Sequence, residues 1–325
     1  MRDIYFYIPK EHWPEKLPSP DEAWAGYKIG IYCWTLQTYN KLVGHSDRIK
    51  LVDTFPEEGI IIAHRGLLPD DIRPSKKQYL VCIQADWSRH PFAKMHISQN
   101  LAQTKSEGVP KLDRMAMPGK TVFTHLWPQP GLLPRNPNRP SELNKLSYYG
   151  LEYNLAEELK SEDWKEFLKA YDIEWDVVDD DTKWCDYRET DGVLFVRDFQ
   201  GKKHINKPAT KLYNTWITNA VPFCAEESAY MDEIEQPNDA VVIKSYEDLK
   251  QKIIELKSNP DKFAALLRRS KALEHKVSDD SIRQEWNEVF AQIDKEIESD
   301  NSYIRFYYTR LACYWITRLI GKIRG

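Results

Sequence analysis

The chain has 325 residues, is 42% hydrophobic and 30% charged, and carries a formal net charge of −4. That length predicts about two domains. The apolar content excludes an intrinsically disordered chain, and the slight acid excess argues against a globally basic nucleic-acid binder, so no nucleic-acid partner is expected. No stretch of about 18 apolar residues is present to span a membrane, and the opening MRDIYFYIPKEHWPEK does not read as a secretory leader. The five cysteines are scattered and form no CxxC pair, so neither a zinc site nor a disulfide framework is expected. These features together read as a cytoplasmic, reducing-compartment protein.

The first half alternates short apolar runs with loops. KIGIYCW (28–34), GIIIAH (59–64), QYLVCIQA (78–85), AKMHISQ (93–99) and KTVFTHL (120–126) read as strands, being rich in β-branched and aromatic residues. Helix-compatible stretches lie between several of them, which predicts parallel sheet built from crossover units. A proline-rich segment (127–144) follows; proline removes backbone donors and disfavours helix before it, so this stretch is an extended connector and hinge. The second half repeats the alternation. KLSYYG (145–150), IEWDVV (173–178), DGVLFVRD (191–198), VPFCAE and AVVIKS read as strands. SEDWKEFLKAYD (161–172), PATKLYNTWITNA (208–220) and SYEDLKQKIIELKS (245–258) read as helices, two with serine caps and one with proline in its first turn. The expected class is α/β: two Rossmann-like αβα domains facing a cleft, one at 1–140 and one at 141–295, followed by a tail at 296–325.

The most informative stretch is 193–230. Its first strand ends in Arg197, at the carboxyl edge where open parallel sheets bind ligands. A basic loop with Lys202, Lys203, His204 and Lys207 follows, and then Lys207, Pro208, Ala209, Thr210 and Lys211 open a helix whose N-terminus suits a phosphate. The next strand delivers Glu226 and Glu227 to the same edge, where carboxylates suit sugar or ribose hydroxyls. A competing pattern is Asp179-Asp180-Asp181, whose carboxylates would bridge a divalent metal to a diphosphate in a metal-dependent transferase.

The order Lys207, Pro208, Lys211, Leu212, Trp216, Val221, Pro222 followed by an acidic loop resembles the donor half of GT-B glycosyltransferases, over roughly 145–290, of the type that builds bacterial polysaccharides and surface glycans. The resemblance implies a nucleotide-sugar donor bound mainly by the second domain, a glycan or lipid-linked acceptor, and no cofactor or bound metal. It implies Gly150 as a glycine of close approach beside the donor phosphates, Arg197 and Lys207 as neutralisers of the leaving diphosphate, Thr210 and Lys211 beside them, and Glu227 on donor hydroxyls. Asn214 stands near the place where many retaining members carry a ribose-binding glutamate. The alternative on the same scaffold is a non-catalytic sugar- or nucleotide-binding protein.

In the first half, catalytic candidates sit at strand ends. An inverting transferase needs an acid side chain or histidine to take the acceptor proton, and His64 and Asp86 rank first, ahead of His45, Asp47 and His125. Gln99 and Asn100 stand at another strand end, and Arg135 is placed to approach the donor. The tail from Tyr303 holds Arg305, Arg310, Arg318, Lys322 and Arg324 and no acid; removing these five charges from −4 leaves −9 on the body. At helical pitch, Tyr308, Ala312, Trp315, Ile316, Leu319, Ile320 and Ile323 share one side, and Arg310, Thr317, Arg318, Lys322 and Arg324 lie opposite. That pattern suits an anionic membrane surface, or a helix packed back on the N-terminal domain or on a second subunit.

Overall fold

The computed structural model describes residues 1–105, 120–299 and 303–324. Its first sheet is built from β1 (Ile4–Tyr7), β2 (Ile49–Val52), β3 (Gly59–His64), β4 (Gln78–Ile83), β5 (Met95–Ser98) and β6 (Lys120–Phe123), in the order β2-β1-β3-β4-β5-β6. Every pairing is parallel. The strand GIIIAH is buried at every position, as an unbroken β-branched run must be when both faces of a parallel sheet are covered. The second sheet joins β7 (Lys145–Tyr149), β8 (Glu174–Val178), β9 (Gly192–Phe195), β10 (Val221–Ala225) and β11 (Val241–Ile243) in the order β11-β10-β9-β7-β8, again all parallel. Two doubly wound α/β units result, as expected from the alternation of strands and helices.

Both strand orders reverse direction once, between β1 and β3 in the first sheet and between β7 and β9 in the second. At such a point the two crossovers leave on opposite faces and open a crevice beyond the strand ends. The two crevices face each other.

Helix formation in the second unit follows local rules. In α3 (Glu162–Ala170), Ser161 caps the amide of Trp164, and Trp164 and Leu168 are buried. Helix α4 (Thr210–Ile217) buries Leu212 through Trp216 against both units. Of the first-half runs, 28–34 is not a strand. Residues 30–42 form one helical stretch, π-helical over Tyr32–Leu36 and ending in α1 (Gln37–Leu42), and the short α2 (Leu101–Thr104) follows β5. The run is too short for periodicity to separate strand from helix, and burial fixes the outcome: Trp34, Thr38 and Leu42 are buried on one helical side and Leu36 on the other.

The connector 127–144 is extended, but it does not hang free as a hinge. Its backbone pairs with the second unit (Leu133 N–H to Cys185 O, 2.7 Å; Arg135 N–H to Thr218 O, 2.9 Å). Buried Asp191 accepts from both Arg135 (Nε 3.1 Å, Nη2 2.8 Å) and Arg139 (Nε and Nη2, 2.9 Å) and from the amides of Asn144 and Lys145. Arg135 is therefore a structural anchor rather than a donor contact. Beyond α5 (Ser228–Glu233), α6 (Tyr246–Ser258) and α7 (Pro260–Leu273), helix α8 (Asp279–Ser299) crosses back to the first sheet. Trp286 packs on Phe6, Arg48 makes a two-pronged pair with Asp294, and Lys41 pairs with Asp279 at 2.8 Å. Grouping 279–295 with the second unit, as the sequence boundaries do, thus separates α8 from the sheet it covers.

Helix α9 (Tyr303–Arg324) lies on the first unit. Arg310 is buried and donates to Ala93 O at 3.0 Å, while Tyr314 packs on Phe92 at 5.7 Å between centroids. No helix among the described residues is long and apolar enough to cross a membrane.

Candidate functional site

The two crevices enclose a cleft of about 450 Å³. Of the residues singled out from sequence, Asp86, Gly150, Arg197, Lys207, Thr210 and Lys211 all line it. Each is delivered by a strand end or a helix start. Gly150 follows β7, Arg197 lies just beyond β9, Thr210 and Lys211 open α4, and Asp86 follows β4 after Ala85, an alanine held at φ +50°. A left-handed alanine costs about 1 kcal/mol, and here it turns the chain so that Asp86 crosses toward the second unit.

Four cations line the cleft (Lys28, Arg197, Lys207, Lys211) against one carboxylate, Asp86, among the described residues. In a chain of net charge −4, such a concentration marks a site for an anion. Arg197 is ion-paired with Glu227 and has the Tyr230 hydroxyl at 3.5 Å. Glu227 itself is 2% exposed, and its second oxygen, Oε1, has no hydrogen-bond partner. Lys207 pairs across the cleft with Asp86 at 2.6 Å. Lys28 pairs with Asp181, so a second ion pair joins the two units on another edge. Lys211 differs from the others: its ammonium lies 3.9 Å from the Tyr148 ring centroid. Burial, with the charge of Arg197 added, pulls its pKa down to about 7. Asp86 is held below the ordinary carboxylate range; its partial burial acts the other way, and Lys207 outweighs it.

Gly150 takes φ +143°, which other residues rarely adopt, and a Cβ there would meet Lys211 Nζ at 2.9 Å and the Tyr148 hydroxyl at 3.1 Å. The glycine makes room for the lysine. Aromatic rings form much of the remaining lining, including Trp34, Trp184 and Tyr148, with Tyr149 and Tyr187 stacked at 4.1 Å.

Three expectations change. His64 stands behind Gly30 and does not line the cleft: its Nδ1 accepts the Gly66 amide at 3.1 Å, and burial lowers its pKa to about 4. Neither Glu226 nor Glu227 lines the cleft: both border a small second cavity, Glu226 beside Lys203 and Glu227 buried behind Arg197. His125 is partly buried between Glu233 (3.1 Å) and Glu285 (2.5 Å), joining β6's end to α5 and α8. Asp180 caps Thr182 while Asp181 holds Lys28, so two of the three consecutive aspartates are committed to protein donors. Asn214, at the place of the ribose-binding glutamate, accepts the Gln129 amide at 2.9 Å and pins the connector. Asn100 reaches across to Lys207 O and the Ser228 hydroxyl, both at 2.9 Å. Lys28, Trp184 and the exposed Trp87 beside Asp86 were not singled out from sequence. Lys28 was hidden by the strand reading of 28–34, and nothing in the sequence sets Trp87 apart from a core aromatic.

Two facing parallel α/β units, a cleft at their switch points and a returning helix define the architecture. It is the GT-B fold. No family model matches the chain, and no curated protein does. Among solved structures, the chain is similar to Anabaena Alr3699/HepE in complex with UDP-glucose (11% identity, 90% of this chain and 100% of that one, TM-score 0.48). It is also similar to the pneumococcal O-GlcNAc transferase GtfA with UDP and GlcNAc (10%, 74% and 57%, 0.49) and to a sucrose-phosphate synthase from Thermosynechococcus elongatus (9%, 81% and 77%, 0.47).

Proposed function

We propose that the protein is a glycosyltransferase that moves a sugar from a nucleotide-sugar donor to a carbohydrate acceptor. The observation that carries this reading is the set of four cations and one carboxylate at facing switch points. Arg197, Lys207 and Lys211 hold the donor diphosphate and stabilise the charge that develops on it as the sugar leaves, and Thr210 adds a hydroxyl. These side chains do the neutralising, so the reading requires no metal. Glu227, behind the cleft lining, holds Arg197 toward the diphosphate. From the opposite wall, the Asp86 carboxylate takes the acceptor hydroxyl proton as that oxygen bonds to the sugar carbon and the carbon–phosphate oxygen bond breaks, its electron pair leaving with the diphosphate. Trp87, 54% exposed next to Asp86, offers an apolar face to the acceptor sugar. The test is release of nucleoside diphosphate from nucleotide-sugars in the presence of carbohydrate acceptors. Turnover by wild type that survives EDTA and is lost in Asp86→Ala is expected; no turnover with any donor leaves a non-catalytic binding protein.

The acceptor side of this reading includes the cytoplasmic face of an anionic membrane and a lipid-linked glycan. Helix α9 turns Tyr308, Trp315, Ile316 and Leu319 outward, each more than half exposed, on a segment with five cations and no acid. An outward apolar, aromatic side on a basic helix matches a headgroup boundary. Wild type should co-sediment with vesicles containing phosphatidylglycerol and the Ile316→Asp/Leu319→Asp variant should not; equal sedimentation refutes the membrane assignment.

A further inference from the structure

The cleft holds its cations in unequal states. Arg197 is tied to Glu227 within its own unit, and Lys211 has only a ring beneath it. Lys207 is the one lysine of the α4 approach whose partner comes from the other unit: Asp86 at 2.6 Å. The contact is built from both sides. Asn206 Nδ2 lies 3.4 Å from Asp86 O, Asn100 holds Lys207 O, and strained Ala85 sets the direction of Asp86. Both members are partly exposed (37% and 44%), so a solute anion can reach them and exchange partners.

Resting on the donor reading above, we propose that Asp86 and the donor diphosphate compete for Lys207, so that arrival of the donor is what releases Asp86 to serve the acceptor. A diphosphate placed among Arg197, Lys211 and Lys207 presents several oxygens to Lys207 where Asp86 presents one carboxylate, and it is the stronger partner. Once Lys207 turns to it, Asp86 loses the cation that keeps its carboxyl protonation low, while its partial burial remains. The carboxylate becomes more basic at the moment an acceptor hydroxyl must be deprotonated. Without donor, the same carboxylate is occupied, and an acceptor or a water molecule finds no free base. The order of events is then donor first, acceptor second.

The competition separates binding from turnover. Uridine, guanosine and thymidine diphosphates are titrated calorimetrically into wild type, Asp86→Asn, Lys207→Gln and the double variant, each first checked for an unchanged melting temperature. Removing the competitor tightens diphosphate binding by about three- to five-fold in Asp86→Asn, the range of a partly exposed ion pair, although transfer is lost. Lys207→Gln weakens binding, and adding Asp86→Asn to it then changes nothing. Equal affinity in wild type and Asp86→Asn overturns the competition. So does an equal gain in the Lys207→Gln background, which would mean that Asp86 only repels the diphosphate through space. Absence of binding in all four proteins removes the donor reading itself.

Discussion

Lys211 gives the sharpest single prediction, because its charge depends on what lies in front of it. Bringing its pKa from 10.5 to about 7 corresponds to roughly 5 kcal/mol of disfavour for the ammonium at that place. Near neutral pH about half the molecules therefore carry a neutral Lys211. A diphosphate within reach restores the proton, so binding takes a proton up. The sign follows: affinity is greatest below the free-state pKa and falls as pH rises through and beyond about 7. If the bound lysine titrates above about 9.5, binding of a nucleotide-sugar, whose diphosphate diester does not titrate here, weakens about fifteen-fold between about pH 7 and about pH 8.5. Calorimetry in two buffers of different ionisation enthalpy measures the proton directly. Lys211→Met, which keeps the stem over Tyr148, binds more weakly and loses the pH dependence over this range. An affinity that is flat with pH in wild type, or equally steep in Lys211→Met, refutes the assignment of Lys211 to the anion.

Two further predictions concern the frame around the cleft. Partial burial acts to lower the pKa of His125, yet Glu233 and Glu285 outweigh that and hold it up at about 9. Because that exceeds the ordinary value of 6.5, its stabilising effect is complete below about pH 6.5 and is lost as pH rises through about 9. His125→Gln should cost about 3 kcal/mol near neutrality and should flatten the decline in melting temperature over that interval; a variant as stable as wild type would contradict the bridge. Gly150→Ala should lose about 1–3 kcal/mol for its backbone and, by displacing Lys211, weaken nucleotide binding as well; an undiminished affinity would show that the ammonium need not sit there.

The second unit was legible in the sequence nearly element by element, and the physical reason is that its signals are local. Ser161 and Ser245 cap where capping serines are expected, and Gly150 ends its strand with the φ only glycine tolerates readily. The cation set on β9 and α4 was equally legible, since charge at a strand end followed by charge at a helix start needs no long-range information. The first unit was less so. The run 28–34 carries no period long enough to tell strand from helix, and its helical state is decided by Trp34 and Leu36 burying against distant strands. The pairing of Asp86 with Lys207 joins residues 121 positions apart and has no sequence signature. In the tail, which helical side turns inward was not fixed: Arg310 is buried and donates to Ala93 O and Tyr314 packs inward on Phe92, while Tyr308 and Trp315 face out. An apolar side is the usual choice for burial, and here the body offers the Ala93 carbonyl to Arg310 and the Phe92 ring to Tyr314 instead.

The central claim is that the facing switch points bind a nucleotide-sugar through protein cations. Thermal denaturation of wild type and Arg197→Ala with a panel of nucleoside diphosphates and their sugar conjugates, with and without EDTA, tests it most directly, because a ligand of the folded state raises the melting temperature. The account predicts a rise selective for one base, unaffected by EDTA and reduced in Arg197→Ala. A rise that appears only with divalent metal would move the diphosphate to the Asp179–Asp181 segment, and no rise with any nucleotide at millimolar concentration would contradict the claim.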